Sequence, residues 1–115
     1  MLLNLLSSMQ QQDLVQRISN MKVKDVAEAF CEGNSGYSTN LKSNGTKIVS
    51  YNTTIAQRAL IDSSLPQLIL NSTKYSRTTS RHLGYIRKYL ENKGIPYLLT
   101  TKRVPYNTFD LIKYL

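Results

Sequence analysis

VKDVAEAFCEGNSGYSTNLKSNGTKIV, residues 23–49, changes its hydrophobic period midway, and that change decides the fold class. Val23, Val26, Ala27, Phe30 and Cys31 fall at i, i+3, i+4, i+7 and i+8, which places them on one face of a helix. Asn20 is positioned to cap that helix and Gly33 to stop it. Cys31 then lies on the buried side as a core thiol.

After the loop from Gly33 to Gly36 the pattern turns to strands. Asn44-Gly45, between Leu41 and Ile48-Val49, is the strongest short hairpin signal in the chain. With Ser43 facing Thr46 across a two-residue turn, Leu41 opposes Ile48 and Thr39 opposes Ser50 on one face. The other face then carries Lys42 opposite Lys47, Asn40 opposite Val49 and Ser38 opposite Tyr51. Two lysines directly opposed repel each other, which suits a phosphate-facing ribbon or a solvated sheet edge.

Beyond the hairpin, Thr53 to Leu60 fits strand or helix, and Gln67 to Asn71 reads as a short buried strand entered from a turn around residues 63–66. A hydroxyl-rich run, Ser72 to Ser80, leads into a helix capped by Ser76, Thr78 or Thr79 that reaches Lys93 and stops at Gly94, with Pro96 beyond. Ile95 to Thr101 reads as a last strand and Phe109 to Leu115 as a short terminal helix or tail. The expected fold is α+β: three to four antiparallel strands against two or three helices.

Residues 1–20 read as a helical extension. Leu2, Leu5, Leu6 and Met9, then Leu14, Val15 and Ile18, make one sticky side broken by residues 10–13. Such a helix packs on the domain, on a second copy to form a homodimer, or in a partner's groove. No basic region precedes its leucines and the apolar runs are short, so it is neither a signal peptide nor a membrane span. The expected location is cytoplasmic, with no membrane partner. The core domain is then residues 21–115.

The 115 residues carry 15 Lys and Arg against 7 Asp and Glu, a net charge of +8. Residues 1–70 hold six basic and five acidic side chains, and residues 71–115 hold nine and two, so nearly all the excess lies in the last third. On a helical wheel Leu83, Ile86 and Leu90 face inward, and Arg77, Arg81, Tyr85, Lys88 and Asn92 line the opposite side. Cations, a ring and an amide on one stripe are what a nucleic-acid surface uses: charge for phosphates, a ring to stack and an amide for base edges. Lys42 and Lys47 on the ribbon, with Lys74, Lys102 and Arg103, extend that candidate interface.

Catalytic and metal sites find little material. One His and one Cys exclude disulfides within the chain and multi-cysteine metal sites. No phosphate loop, paired-carboxylate motif or Ser-His-Asp order occurs. The expectation is a non-enzyme with no metal or cofactor, and with His82 hydrogen-bonded to a neighbouring hydroxyl.

Met-Lys-Val-Lys-Asp-Val-Ala-Glu-Ala-Phe (21–30), Gly-Asn-Ser-Gly (33–36), Ser-Asn-Gly (43–45), Ser-Tyr-Asn-Thr-Thr-Ile-Ala (50–56) and Asn-Ser-Thr-Lys-Tyr-Ser-Arg-Thr-Thr-Ser-Arg-His (71–82) resemble one family. It comprises small, largely uncharacterised proteins of archaeal and bacterial viruses, plasmids and integrated elements. The resemblance runs from Met21 to about Leu90, and Tyr-Ser-x-Thr-Thr-Ser-x-His is its most distinctive part. Family members often begin near Met21. The resemblance implies a mobile-element setting, in which small basic proteins act as DNA-binding regulators or as inhibitors of a host defence complex. The partner expected from charge and setting is therefore nucleic acid, DNA ahead of RNA, or a host protein complex.

Overall fold

The computed structural model describes residues 21–61 and 65–115. Its elements are α1 (Val23–Cys31), β1 (Ser35–Tyr37), β2 (Leu41–Asn44), β3 (Lys47–Ser50), β4 (Thr53–Ala59), β5 (Gln67–Leu70), α2 (Arg77–Lys93) and β6 (Leu98–Leu99), followed by a 3-10 turn, Ile112–Tyr114. The fold is α+β. Six strands form one sheet in the order β1-β2-β3-β4-β5-β6, antiparallel except for the parallel pair β5 and β6.

The expectation of three to four strands falls short because β1, three residues long, is too short to show a period of two, and β4 lies in a segment that fitted strand or helix; the expected last strand, Ile95 to Thr101, is reduced to Leu98–Leu99. β4 resolves the ambiguity of Thr53 to Leu60 as strand. The last pair is parallel because α2 carries the chain from β5 across the sheet to β6. The predicted helix at residues 1–20 and its dimer contact lie outside the described residues, and the N-cap position of α1 is Lys22, which makes no side-chain cap bond, instead of the expected Asn20.

Both helices end as their glycines require. Gly33 N–H donates to the Phe30 carbonyl and Asn34 N–H to the Ala29 carbonyl, with Gly33 at φ +82°. Gly94 at φ +67° and Ile95 N–H on the Leu90 carbonyl repeat the closure on α2.

The β2–β3 hairpin corrects the expected register. Leu41 pairs with Ser50, Lys42 with Val49 and Ser43 with Ile48, so the two-residue loop is Gly45-Thr46 and no lysine opposes another. A slip of two residues leaves the strand side chains from Leu41 to Ser50 on their predicted faces, while Ser38 to Asn40 form the β1–β2 turn instead of pairing with Val49 to Tyr51. Two contacts set this register. Asn44 Oδ1 accepts from the N–H groups of Thr46 and Lys47, at 2.9 and 2.7 Å. Gly45, at φ +87°, lies so close to α1 that a Cβ there would meet the Gly33 carbonyl oxygen at 2.6 Å.

Arg58 of β4 ties the same corner together. Its guanidinium donates to the carbonyls of Gly45 (2.6 Å) and Cys31 (2.8 Å) and lies 4.7 Å from the centre of the Phe30 ring. Desolvation lowers its pKa, partly offset by Cys31, whose own thiol is pushed up to about 11 by burial.

Two cores share the sheet. On the front, Val26, Ala27 and Phe30 of α1 and Ile86 and Leu90 of α2 pack on Leu41, Ile48, Ile55, Leu68 and Leu70. Each such side chain, fully buried, is worth about 1.5–3 kcal/mol of transfer free energy. A bulge helps: Ile48 pairs with Ala56 and Val49 with Thr54, so Ile55 is the extra residue, and Ile55 and Ala56 both enter the front core. On the back, Ile69, Val104 and Leu111 form a second cluster with Tyr75, Tyr114 and Leu115 packed around it.

The back core is covered by the segment 101–115, a strap stitched down by polar groups. Thr54 N–H donates to the Thr108 carbonyl, Thr54 Oγ1 to the Phe109 carbonyl, and Gln57 Oε1 accepts from Leu111 N–H at 2.7 Å. These bonds hold the strap over β4 and β5. Among the described residues, the back face of β1 to β3 is left open by the strap except where Phe109 reaches Lys47.

Candidate functional site

α2 is oriented by its cap and its buried side. Ser76, one of three predicted caps, accepts from Thr79 N–H. Thr79, His82, Ile86 and Leu90 are buried, while Arg77, Arg81, Lys88 and Asn92 are exposed on the outer side as the wheel requires. Tyr85 departs from that stripe. It is half-buried and packs against the front core, so its ring forms part of a cleft wall instead of standing free.

That cleft, about 410 Å³, lies between the β1–β2 turn and the first half of α2. Ser38, Thr39 and Asn40 line one side, and Thr78, Arg81, His82 and Tyr85 the other, with no carboxylate among them. The described carboxylates sit elsewhere: Asp25, Glu28 and Glu32 on or beside α1, Glu91 at 4.0 Å from Arg87, and Asp110 on the strap.

His82 is buried and meets a hydroxyl, that of Ser50, from across the fold. Its Nδ1 lies 2.8 Å from Ser50 Oγ, which is 3.1 Å from Thr79 Oγ1, and its ring stacks with Tyr51 at 6.5 Å. Burial, and then the charge of Arg81, lowers its pKa. The imidazole is neutral at pH 7, and Arg81 supplies the positive charge of the cleft. The Ser50–His82 spacing matches a nucleophile and its base, yet with both residues buried no substrate reaches the Ser50 hydroxyl, and the bond is structural.

The hydroxyl-rich run is spent on the fold. Asn71 Nδ2 donates to the Thr54 carbonyl and Tyr75 oxygen, Ser72 Oγ to the Thr100 carbonyl, and Thr73 Oγ1 accepts from Val104 N–H. The Tyr75 hydroxyl in turn donates to the Val104 carbonyl. Lys74 and Arg87 flank a smaller hollow of about 180 Å³ beside this run. Lys102 and Arg103 are exposed on the strap, just before Val104 and so close to Thr73 and Lys74.

Lys42 and Lys47 lie on that back face. Lys42 Nζ sits 5.2 Å from the centre of the Tyr37 ring and Lys47 Nζ 3.7 Å from that of Phe109. Together with Val49, Tyr51 and Asn52 they border a hollow of about 270 Å³. The nine predicted residues thus divide among the front cleft (Arg81, Tyr85), the outer side of α2 (Arg77, Lys88), the strap junction (Lys74, Lys102, Arg103) and the back ribbon (Lys42, Lys47). Tyr37 and Phe109 join these surfaces without having been read from the sequence, Thr78 was read only as a possible cap, and Asn40 and Tyr51, read on the lysine face of the ribbon, lie instead at the front cleft and in the β3–β4 turn.

Tyr51 connects the two faces. It holds φ +57° in the β3–β4 turn, its N–H donates to the Asn40 carbonyl at 2.8 Å, and its ring is half exposed. Among the described residues no cluster of three His, Cys, Asp or Glu side chains is placed to hold a metal ion, and no helix is long and apolar enough to cross a membrane.

Residues 18–101 match the model of a family described as a family of unknown function (DUF8033). No curated protein and no solved structure matches the chain.

Proposed function

The chain belongs to that family of unknown function, and from the chemistry of its own surfaces we propose that it is a small nucleic-acid-binding protein, DNA ahead of RNA, and not an enzyme. The observation that carries this reading is the front cleft: Arg81 and Tyr85 stand beside Thr78 and Asn40 in a hollow with no carboxylate. Arg81 meets a phosphate, Tyr85 a sugar or base, and the amide and hydroxyls complete the hydrogen bonding. Arg77 and Lys88 extend the charge along the helix, and Lys74, Lys102 and Arg103 extend it past the helix N-terminus. A regulatory role inside a host cell, for a virus or mobile element, follows from the resemblance and belongs to the same proposal, as does a dimer through residues 1–20.

Fluorescence anisotropy with labelled oligonucleotides tests it. Binding at 50 mM salt should weaken steeply by 200 mM, and the Arg81→Glu, Lys88→Glu double variant should lower the log–log salt slope by about 1–2. Absence of binding to every DNA and RNA form at low salt sinks the proposal.

A second reading, an inhibitor that occupies a host protein complex, is favoured by one feature. β6 lies at the sheet edge with Leu98 and Leu99 exposed, a pattern that invites another chain. Capture of one defined partner, lost in Leu98→Lys and unaffected by Arg81→Glu, would favour this reading over the first.

A further inference from the structure

We infer that the nucleic acid this protein takes is single-stranded DNA, running from the front cleft around the β3–β4 turn onto the back ribbon. The inference rests on the nucleic-acid reading above and names the form of the ligand.

Two surfaces carry the requisite chemistry, and they lie on opposite faces of one sheet. The front cleft holds Arg81 and Tyr85. The back ribbon holds Lys42 and Lys47 beside the exposed rings of Tyr37 (40%) and Phe109 (61%). A duplex with a persistence length of about 50 nm stays straight over a domain this size and touches one face at a time. A single strand bends at every nucleotide and can follow both.

The β3–β4 turn supplies the path. Tyr51 is joined to the front cleft by its bond to the Asn40 carbonyl and its stacking on His82, and with Asn52 it borders the back hollow. Lys42, Val49 and Phe109 continue that surface across the ribbon. Rings interleaved with lysines are the recurring platform for unpaired bases, where each base stacks on a ring and the adjacent phosphate meets a cation. Lys47 now covers one face of Phe109; an incoming base takes that face and the flexible lysine moves to the phosphate. Asp110 borders the platform, but its carboxylate is engaged by Gln57 Nε2 and Ile112 N–H. The DNA in this inference is carried over from the reading above and not from this surface, where Ser43, Tyr51 and Asn52 offer side-chain oxygens to either sugar.

The test uses the full chain, a 5′-labelled oligo-dT strand of about 12 nucleotides, the matching oligo-rU and a duplex of the same length. The single strand of DNA should bind at least tenfold more tightly than the duplex, and the rU strand more weakly than the dT strand. Lys42→Ala with Lys47→Ala, and separately Phe109→Ala, should each weaken dT binding about tenfold, weaken duplex binding far less, and leave the melting temperature unchanged. The chain has no tryptophan, so Phe109→Trp adds a single reporter whose fluorescence should be quenched by oligo-dT and not by duplex. Duplex binding as tight as dT binding, rU binding tighter than dT, or dT binding without quenching overturns this inference and leaves the nucleic-acid reading standing. No binding of any form overturns both.

Discussion

Ser50 Oγ and His82 Nδ1 lie 2.8 Å apart, with Ser50 1% and His82 2% exposed, so a titratable ring is sealed between β3 and α2. Thr79 shares the hydroxyl, Tyr51 covers the ring and Arg81 adds positive charge beside it. The folded protein therefore resists protonating His82, whose pKa is lowered from 6.5. In the unfolded chain the same ring takes up a proton as pH falls below about 6.5. Stability from this group is complete above that value and falls as pH drops toward the folded pKa. Urea denaturation from pH 8 to pH 5 should show this loss, and His82→Asn, which keeps a polar group near Ser50, should abolish its dependence on pH in that window. An unchanged profile in the variant would assign the effect to other groups.

Arg58 joins three parts of the front corner with one planar group. Arg58→Ala leaves two carbonyls and the Phe30 face without their partner and should destabilise by about 2–3 kcal/mol. Arg58→Lys should recover only part of this, because an ammonium does not reach two carbonyls while stacking on a ring. Equal stability of the two variants, measured by urea midpoint, would contradict the bidentate role.

Gly45→Ala should cost about 2 kcal/mol or more, since it combines a positive φ with a contact against the Gly33 backbone that neither residue can relieve by rotating a side chain. Gly84→Ala is the control: a Cβ there meets nothing within 4 Å, and helix propensity favours it by up to about 1 kcal/mol. Thermal melts should move in opposite directions.

Gln57 holds the strap by accepting from Leu111 N–H and donating to Asp110. Gln57→Leu strands a buried N–H and should cost about 1–3 kcal/mol, with faster amide exchange at Leu111. Gln57→Glu keeps the acceptor but sets a carboxylate against Asp110, so its stability should improve as pH falls toward 4. No change in exchange at Leu111 in either variant would show that the strap is held elsewhere.

How much of this could be read in the sequence depends on the range of the interactions. The α1 helix was legible because Val23, Val26, Ala27, Phe30 and Cys31 state their period within nine residues, and Gly33 and Gly94 punctuate both helices locally. The turn at Asn44-Gly45 was legible as a turn. Its register was not, because it depends on Gly45 meeting Gly33 and on Arg58 reaching the carbonyls of Gly45 and Cys31. The last strand was legible within Ile95 to Thr101, but not its two-residue extent or its parallel pairing with β5, which α2 imposes. For the site, the α2 stripe was visible as charge on a wheel. The roles of Asn71, Ser72 and Thr73 as stitching were not legible, since their partners Thr54, Thr100 and Val104 lie far along the chain. On the back platform Lys42, Lys47, Val49 and Tyr51 were legible as one face of the ribbon, whereas Phe109 was not, because the strap's bond to Thr54 brings it there from far along the chain.

Tyr51 sets fold and recognition at odds. A bulky residue at φ +57° is held in a region that glycine enters freely, at a cost of about 1 kcal/mol or more. Tyr51→Gly should relax the turn while removing the ring that stands between cleft and ribbon. Selection of random variants for heat resistance alone would then drift toward glycine at this position and yield sturdier proteins that hold their ligand less well. The turn is a place where engineering for shelf life and engineering for affinity pull in opposite directions.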